Sequence, residues 1–102
     1  MLLVEDIYKL CASLPADERF GLSAQLKRAA VSIPANIGEG ARRKRPAVFR
    51  YHLEVALGSQ AEVEVQVELA SRLGLIDEKV HTRVQQRAGA VGRLLNKLLD
   101  SI

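Results

Sequence analysis

Gln25 to Gly40 reads Q-L-K-R-A-A-V-S-I-P-A-N-I-G-E-G, and its spacing decides the fold. With Leu22 ahead of it, Leu26, Ala29, Ile33 and Ile37 recur at three or four residues and share a stripe about 80° wide on a helical wheel. Gln25, Arg28, Ser32, Asn36, Glu39 and Arg43 make a polar row beside that stripe. This period predicts a helix from about Glu18 to Arg42, with Asp17 as its N-cap. Pro34 falls inside the pattern. It cannot donate to the Ala30 carbonyl, and its ring crowds that turn. Two separate helices or one bent helix would answer. The stripe keeps phase from Ile33 to Ile37, which favours a single helix kinked at Pro34. Gly38 and Gly40 allow termination, with Gly40 as the residue just past the end. A weaker apolar patch on the far side, Phe20, Ala24 and Val31, hints at a second partner.

The flanking segments read as helices cut to pack against this one. Residues 2–13 place Leu3, Ile7 and Leu10, with Leu14 beyond, on one face. No cap precedes Leu2, so that helix either frays or began further upstream. Leu14-Pro15-Ala16 is a break. Pro46 suits a first helical turn, and the pattern from Ala47 to Leu73 spans about 40 Å as a straight helix. Phe49, Leu53, Ala56, Val63, Val67 and Ala70 line one of its faces, and Tyr51, Val55, Val65, Leu69 and Leu73 a second. A helix apolar on two faces within so small a chain implies self-association. Gly74 ends it. Asp77 caps a fourth helix, with Ile76 as a hydrophobic staple, whose stripe is Val80, Val84, Val91, Leu94, Leu95, Leu98 and Ile102. Gly89 and Gly92 weaken that helix by about 1 kcal/mol each relative to Ala. Short connections imply antiparallel neighbours. The expected fold is all-α: one domain, residues 1–102, an antiparallel up-down-up-down four-helix bundle.

Composition agrees. Hydrophobic residues make up 48% of the 102, but only 4% are aromatic, so the core is aliphatic. Turn formers are too few for a β-sandwich. Cys11 stands alone, which excludes a disulfide framework and a cysteine metal site and reads as a buried, inert thiol. No apolar run reaches the roughly 18 residues of a membrane span, and the start is too short and acidic for a signal peptide. A cytoplasmic location and no membrane contact are expected.

The net charge of +3 is uneven. Residues 17–46 carry +4 and 76–102 carry +2, against −2 for 47–75 and −1 for 1–16. Arg42, Arg43, Lys44 and Arg45 form a run read as a loop after Gly40. Lys79, Arg83, Arg93 and Lys97 share one flank of the fourth helix. Such features either solubilise a surface or contact nucleic-acid phosphates, and two sets forming one surface would favour the second. No aromatic interrupts the cations, so base readout is not supported.

Catalytic and metal chemistry find no footing. Ser32, Asn36 and Glu39 read as a network that satisfies the bent helix, with Glu39 one turn from Arg43 or Arg28. His52 and His81 belong to no ligand pair. Glu64 and Glu68 share a face with Glu62 nearby, but lack the Glu-x-x-His partners of a di-metal bundle. The expectation is no enzyme, no cofactor and no metal.

The residues also carry a resemblance. Phe20-Gly21-Leu22-Ser23, the run Gln25–Gly40, Ala56-Leu57-Gly58-Ser59 with Glu62 and Glu64, and Leu73-Gly74-Leu75-Ile76 closely resemble the signature of the four-helix-bundle family named for proteins encoded in intervening sequences of bacterial 23S ribosomal RNA genes, the S23-like proteins. The likeness covers about residues 5–100. It implies a homopentameric ring of four-helix bundles. Family members include accessory proteins of diversity-generating retroelements, which bind a reverse transcriptase and nucleic acid through basic surfaces. This chain departs from the pattern in a first helix that starts late and in an R-R-K-R run where the family is often Ser-rich. The functional expectation is a homo-oligomer that contacts RNA or DNA backbone through its cations. The alternative is an adaptor for a protein such as a reverse transcriptase or a ribosome-associated partner.

Overall fold

The computed structural model describes residues 1–18 and 20–102. Arg19, inside the expected start of the second helix, lies outside the described residues. Four α-helices follow one another: α1 Leu2–Ala12, α2 Leu22–Arg43, α3 Pro46–Arg72 and α4 Glu78–Asp100, with a short 3-10 turn at Ala16–Glu18 between the first two. No strand occurs among the described residues.

The helices close a square. α1 packs on α2, α2 on α3, α3 on α4, and α4 back on α1. Cross-helix pairs fix the sense of two of these contacts. Between α2 and α3 they are Arg28 with Glu62, Ser32 with Ser59 and Asn36 with His52. Numbers rise on one helix as they fall on the other, so the two run antiparallel. Between α3 and α4, Gln60 Nε2 donates to the Ala88 carbonyl, Gln85 Nε2 to the Glu64 carbonyl, and His81 meets Glu68, again in opposite sense.

The shared core is aliphatic. Leu3, Ile7, Leu26, Ile33, Leu53, Val63, Val67, Val84 and Leu95 are wholly buried. Burying each such side chain contributes about 1.5–3 kcal/mol, the main force holding four short-looped helices together. The stripes expected on α1, α2 and α3 supply it. On α4 the stripe shifts: Ala88 and Gly92 are buried, while Leu94 is 52% exposed and Ile102 39%. Small residues let α3 approach there. A Cβ on Gly92 would lie 2.9 Å from the Gln60 amide nitrogen.

α2 is continuous from Leu22 to Arg43 with Pro34 inside it, the single helix favoured over two. Two local expectations about it need correction. Its N-cap is Gly21 rather than Asp17, which sits in the 3-10 turn. Gly40 does not end it either. The helix runs three residues further, and Gly40 serves close packing instead: an added Cβ would sit 2.7 Å from His52 Cβ and 3.0 Å from Phe49 Cδ1. The α3–α4 turn follows the sequence rules. Gly74 takes φ +73°, its N–H reaches the Ser71 carbonyl, and the Leu75 N–H reaches the Ala70 carbonyl, the paired bonds of a Schellman ending. Asp77 Oδ1 then accepts from the Val80 N–H, 2.9 Å away.

Candidate nucleic-acid interface

The run Arg42–Arg45 is only half loop. Arg42 and Arg43 complete the last turn of α2, where cations face the negative end of the helix dipole. Lys44 follows with φ 58°, a left-handed conformation that glycine or asparagine usually takes. Arg45 is extended and precedes Pro46, as a residue before proline must be. It caps α3 without a side-chain hydrogen bond. All four side chains are exposed.

One carboxylate serves two of them. Glu39 accepts from Arg43 Nε at 2.9 Å and from Arg42 Nη2 at 3.2 Å. The hydrogen bonds from Arg43 and then Arg42 hold its carboxyl below the usual range. The expected pairing of Glu39 with Arg43 is present, whereas Arg28 instead bonds Gln25 and Glu62. Among the described residues neither Lys44 nor Arg45 joins an ion pair. The corner where α2 passes to α3 is therefore a net positive surface at one end of the bundle.

The α4 cations divide between the two ends. Ile102 lines the same groove as Lys44 and Arg45, and Arg50 Nη2 donates to the Leu99 and Ile102 carbonyls. The C-terminal half of α4 thus lies at the basic corner, and Arg93 and Lys97 belong to that half. They border a shallow groove with Leu94, Asn96 and Asp100. Lys79 stands 18 residues before Lys97, about 27 Å away along the helix. Lys79 and Arg83 therefore face solvent toward the opposite end, beside the α3–α4 turn. All four are exposed. Arg93 and Lys97 thus stand nearer the corner than Lys79 and Arg83 do, but they border a groove separate from the one that Lys44 and Arg45 line.

The other candidate residues are spent on structure. Asn36 Nδ2 donates to the Ser32 carbonyl and Oγ, Ser59 Oγ donates to Ser32 Oγ, and His52 Nδ1 lies 3.0 Å from Asn36 Oδ1. This network ties α2 to α3 and contains neither Glu39 nor a Ser–His contact. Glu62 pairs with Arg28, Glu68 with Arg72 and His81, and Glu64 offers its backbone carbonyl to Gln85. The Glu68 carboxyl is held low, first by Arg72 and then by His81. Cys11 is buried, its Sγ 3.7 Å from the Ser23 carbonyl, and burial raises its thiol pKa. The spacing rules gave no sign of Asp6, buried on α1, whose Oδ2 lies 3.0 Å from Arg87 Nη1 on α4. That contact is charge pairing without a well-directed hydrogen bond.

An apolar face remains uncovered. On α3, Val65 is 68% exposed, Tyr51 61%, Leu73 58% and Leu69 46%. These are four of the five residues of the second face read from the sequence; Val55 is half-buried.

A family model described as 23S rRNA-intervening sequence protein matches residues 1–97. The chain belongs to that family. A solved structure points the same way. A protein of unknown function from the S23 ribosomal protein family of Bacteroides thetaiotaomicron superposes with a TM-score of 0.88 at 26% identity, covering 96% of this chain and 88% of the other. No curated protein matches the chain. Within this 23S rRNA-intervening sequence protein, no helix is long and apolar enough to cross a membrane among the described residues.

Proposed function

We propose that this chain is a non-catalytic, homo-oligomeric nucleic-acid-binding protein that holds RNA or DNA by its backbone. The observation that carries the reading is the α2–α3 corner: four consecutive exposed cations, of which two pair with one carboxylate, Glu39. Like charges held this close repel, and an anionic ligand that releases its own counterions relieves that cost. Lys44 adds to the case. A lysine in left-handed backbone gives up about 1–2 kcal/mol that glycine would not, so the charge at this position is kept against stability. Arg42, Arg43, Lys44 and Arg45 supply phosphate contacts, joined by Arg93 and Lys97. Lys79 and Arg83 form a separate, smaller set.

The assembly is a homo-oligomer, a pentamer by the family resemblance, and the exposed Tyr51, Val65, Leu69 and Leu73 support burial against a second copy. A cytoplasmic setting accompanies this reading, in keeping with a single cysteine that forms no disulfide.

The test is affinity for a generic RNA at low and moderate salt. Binding should weaken steeply as salt rises, and replacing the four corner cations with Ala should abolish most of it. Affinity indifferent to both would end the proposal. The same apolar face favours a second reading, an adaptor whose partner is a protein such as a reverse transcriptase or a ribosome-associated factor. Under that reading the partner stays bound in a pull-down after nuclease digestion.

A further inference from the structure

The basic corner encloses a groove. Gly40, Pro46, Phe49 and Ile102 line it together with Lys44 and Arg45. Its volume is about 320 Å³, at the lower end of the roughly 300–1,000 Å³ of small-ligand pockets. That volume suits a group the size of one base rather than a helix or a duplex. The missing side chain at Gly40 brings the Phe49 ring against α2, and Phe49 stays half-buried with one side on the groove.

We infer that this groove seats one unpaired nucleobase of the strand whose phosphates the corner holds. The inference rests on the backbone-binding reading above and names the form of nucleic acid that the corner prefers. Three features favour this occupant. The interior is apolar and carries an aromatic ring, on which any base stacks without sequence preference. The lining includes two cations free of ion pairs among the described residues, which suits an occupant with an anionic group next to a flat apolar one. The Arg45 guanidinium is itself a planar partner for a base. A nucleotide combines these properties. Bases in a duplex are stacked and paired, so only an unpaired one enters.

The experiment compares a single-stranded RNA carrying one 2-aminopurine with a blunt RNA duplex of the same length, on the wild-type protein and on Phe49→Leu. Leu keeps aliphatic bulk, and unchanged helicity and melting confirm its fold. Wild type should quench the 2-aminopurine on binding. Phe49→Leu should lose the quench and weaken the single strand about tenfold, leaving duplex affinity unchanged. The quench on wild type needs no variant to fold. If both RNAs bind in a salt-dependent way but 2-aminopurine stays bright on wild type, no base enters the groove and the inference falls while the backbone reading stands. Equal single-strand affinity in wild type and Phe49→Leu overturns it likewise. If neither RNA binds, the backbone reading itself fails.

Discussion

The two ends of α3 are built on opposite principles. At its C-terminal end every local preference is met: Gly74 supplies the positive φ, the Schellman bonds close the helix, and Asp77 caps the next. At its N-terminal end Pro46 suits the first turn, but other preferences are set aside. A lysine holds the left-handed position, an arginine stands where a capping side chain belongs, and four cations crowd together. Local rules agree where only folding is asked of the chain, and break where something else is asked. The contrast supports the proposal that the α2–α3 corner is the functional end.

The largest expected effect on stability lies in the corner's scaffold. Gly40→Ala pushes a methyl to 2.7 Å from His52 Cβ. Thermal melting should show a loss of about 2 kcal/mol, or about 10 °C for a domain of this size. Gly38→Ala, with nothing within 4 Å of the added Cβ, should move the other way by about 0.5–1 kcal/mol. An unchanged melt for Gly40→Ala would mean that α2 and α3 are not in close contact there.

The two turns should then answer in opposite directions. Gly74→Ala puts a side chain at φ +73° and should cost about 1 kcal/mol. Lys44→Gly relieves the same kind of conformation and should gain about 1 kcal/mol while weakening RNA binding. A variant that is more stable and binds worse is the signature of a residue kept for its charge. Loss of stability in Lys44→Gly would remove the contrast.

A smaller effect concerns Glu39. Its folded pKa is depressed, so its pairing with Arg43 and Arg42 contributes stability above the unfolded carboxylate range and loses it as pH falls through the lower folded value. For ligand binding the sign reverses. The carboxylate competes with phosphate for both guanidinium groups, so Glu39→Gln should tighten RNA binding a few-fold at low salt. Weaker binding in that variant would mean that Glu39 positions the arginines.

Much of the fold is legible because apolar spacing is a strong signal: the stripes of α1, α2 and α3 are those the residues announce. The misses have physical causes. Leu94 reads as core by hydrophobicity, but α4 turns toward the side where Ala88 and Gly92 let Gln60 lie close. Small residues mark a close approach without adding to an apolar pattern. Gly40 reads as a helix end because glycine has two uses, and here packing against His52 and Phe49 is the one taken. Asp6 and Arg87 meet across 81 positions of sequence, where no helical period speaks of them. The cations themselves are plain in the sequence. Their split between two ends, and the Phe49 ring beside them, emerge only when α4 folds back along α3.

The most direct measurement is the slope of log affinity against log salt for a generic RNA, compared between the two ends. Removing one phosphate-binding cation should flatten the slope by about one. Replacing Arg42, Arg43, Lys44 and Arg45 with Ala should flatten it by about three to four, and replacing Lys79 and Arg83 should leave it nearly unchanged. Equal slopes for wild type and the corner variant would contradict the account.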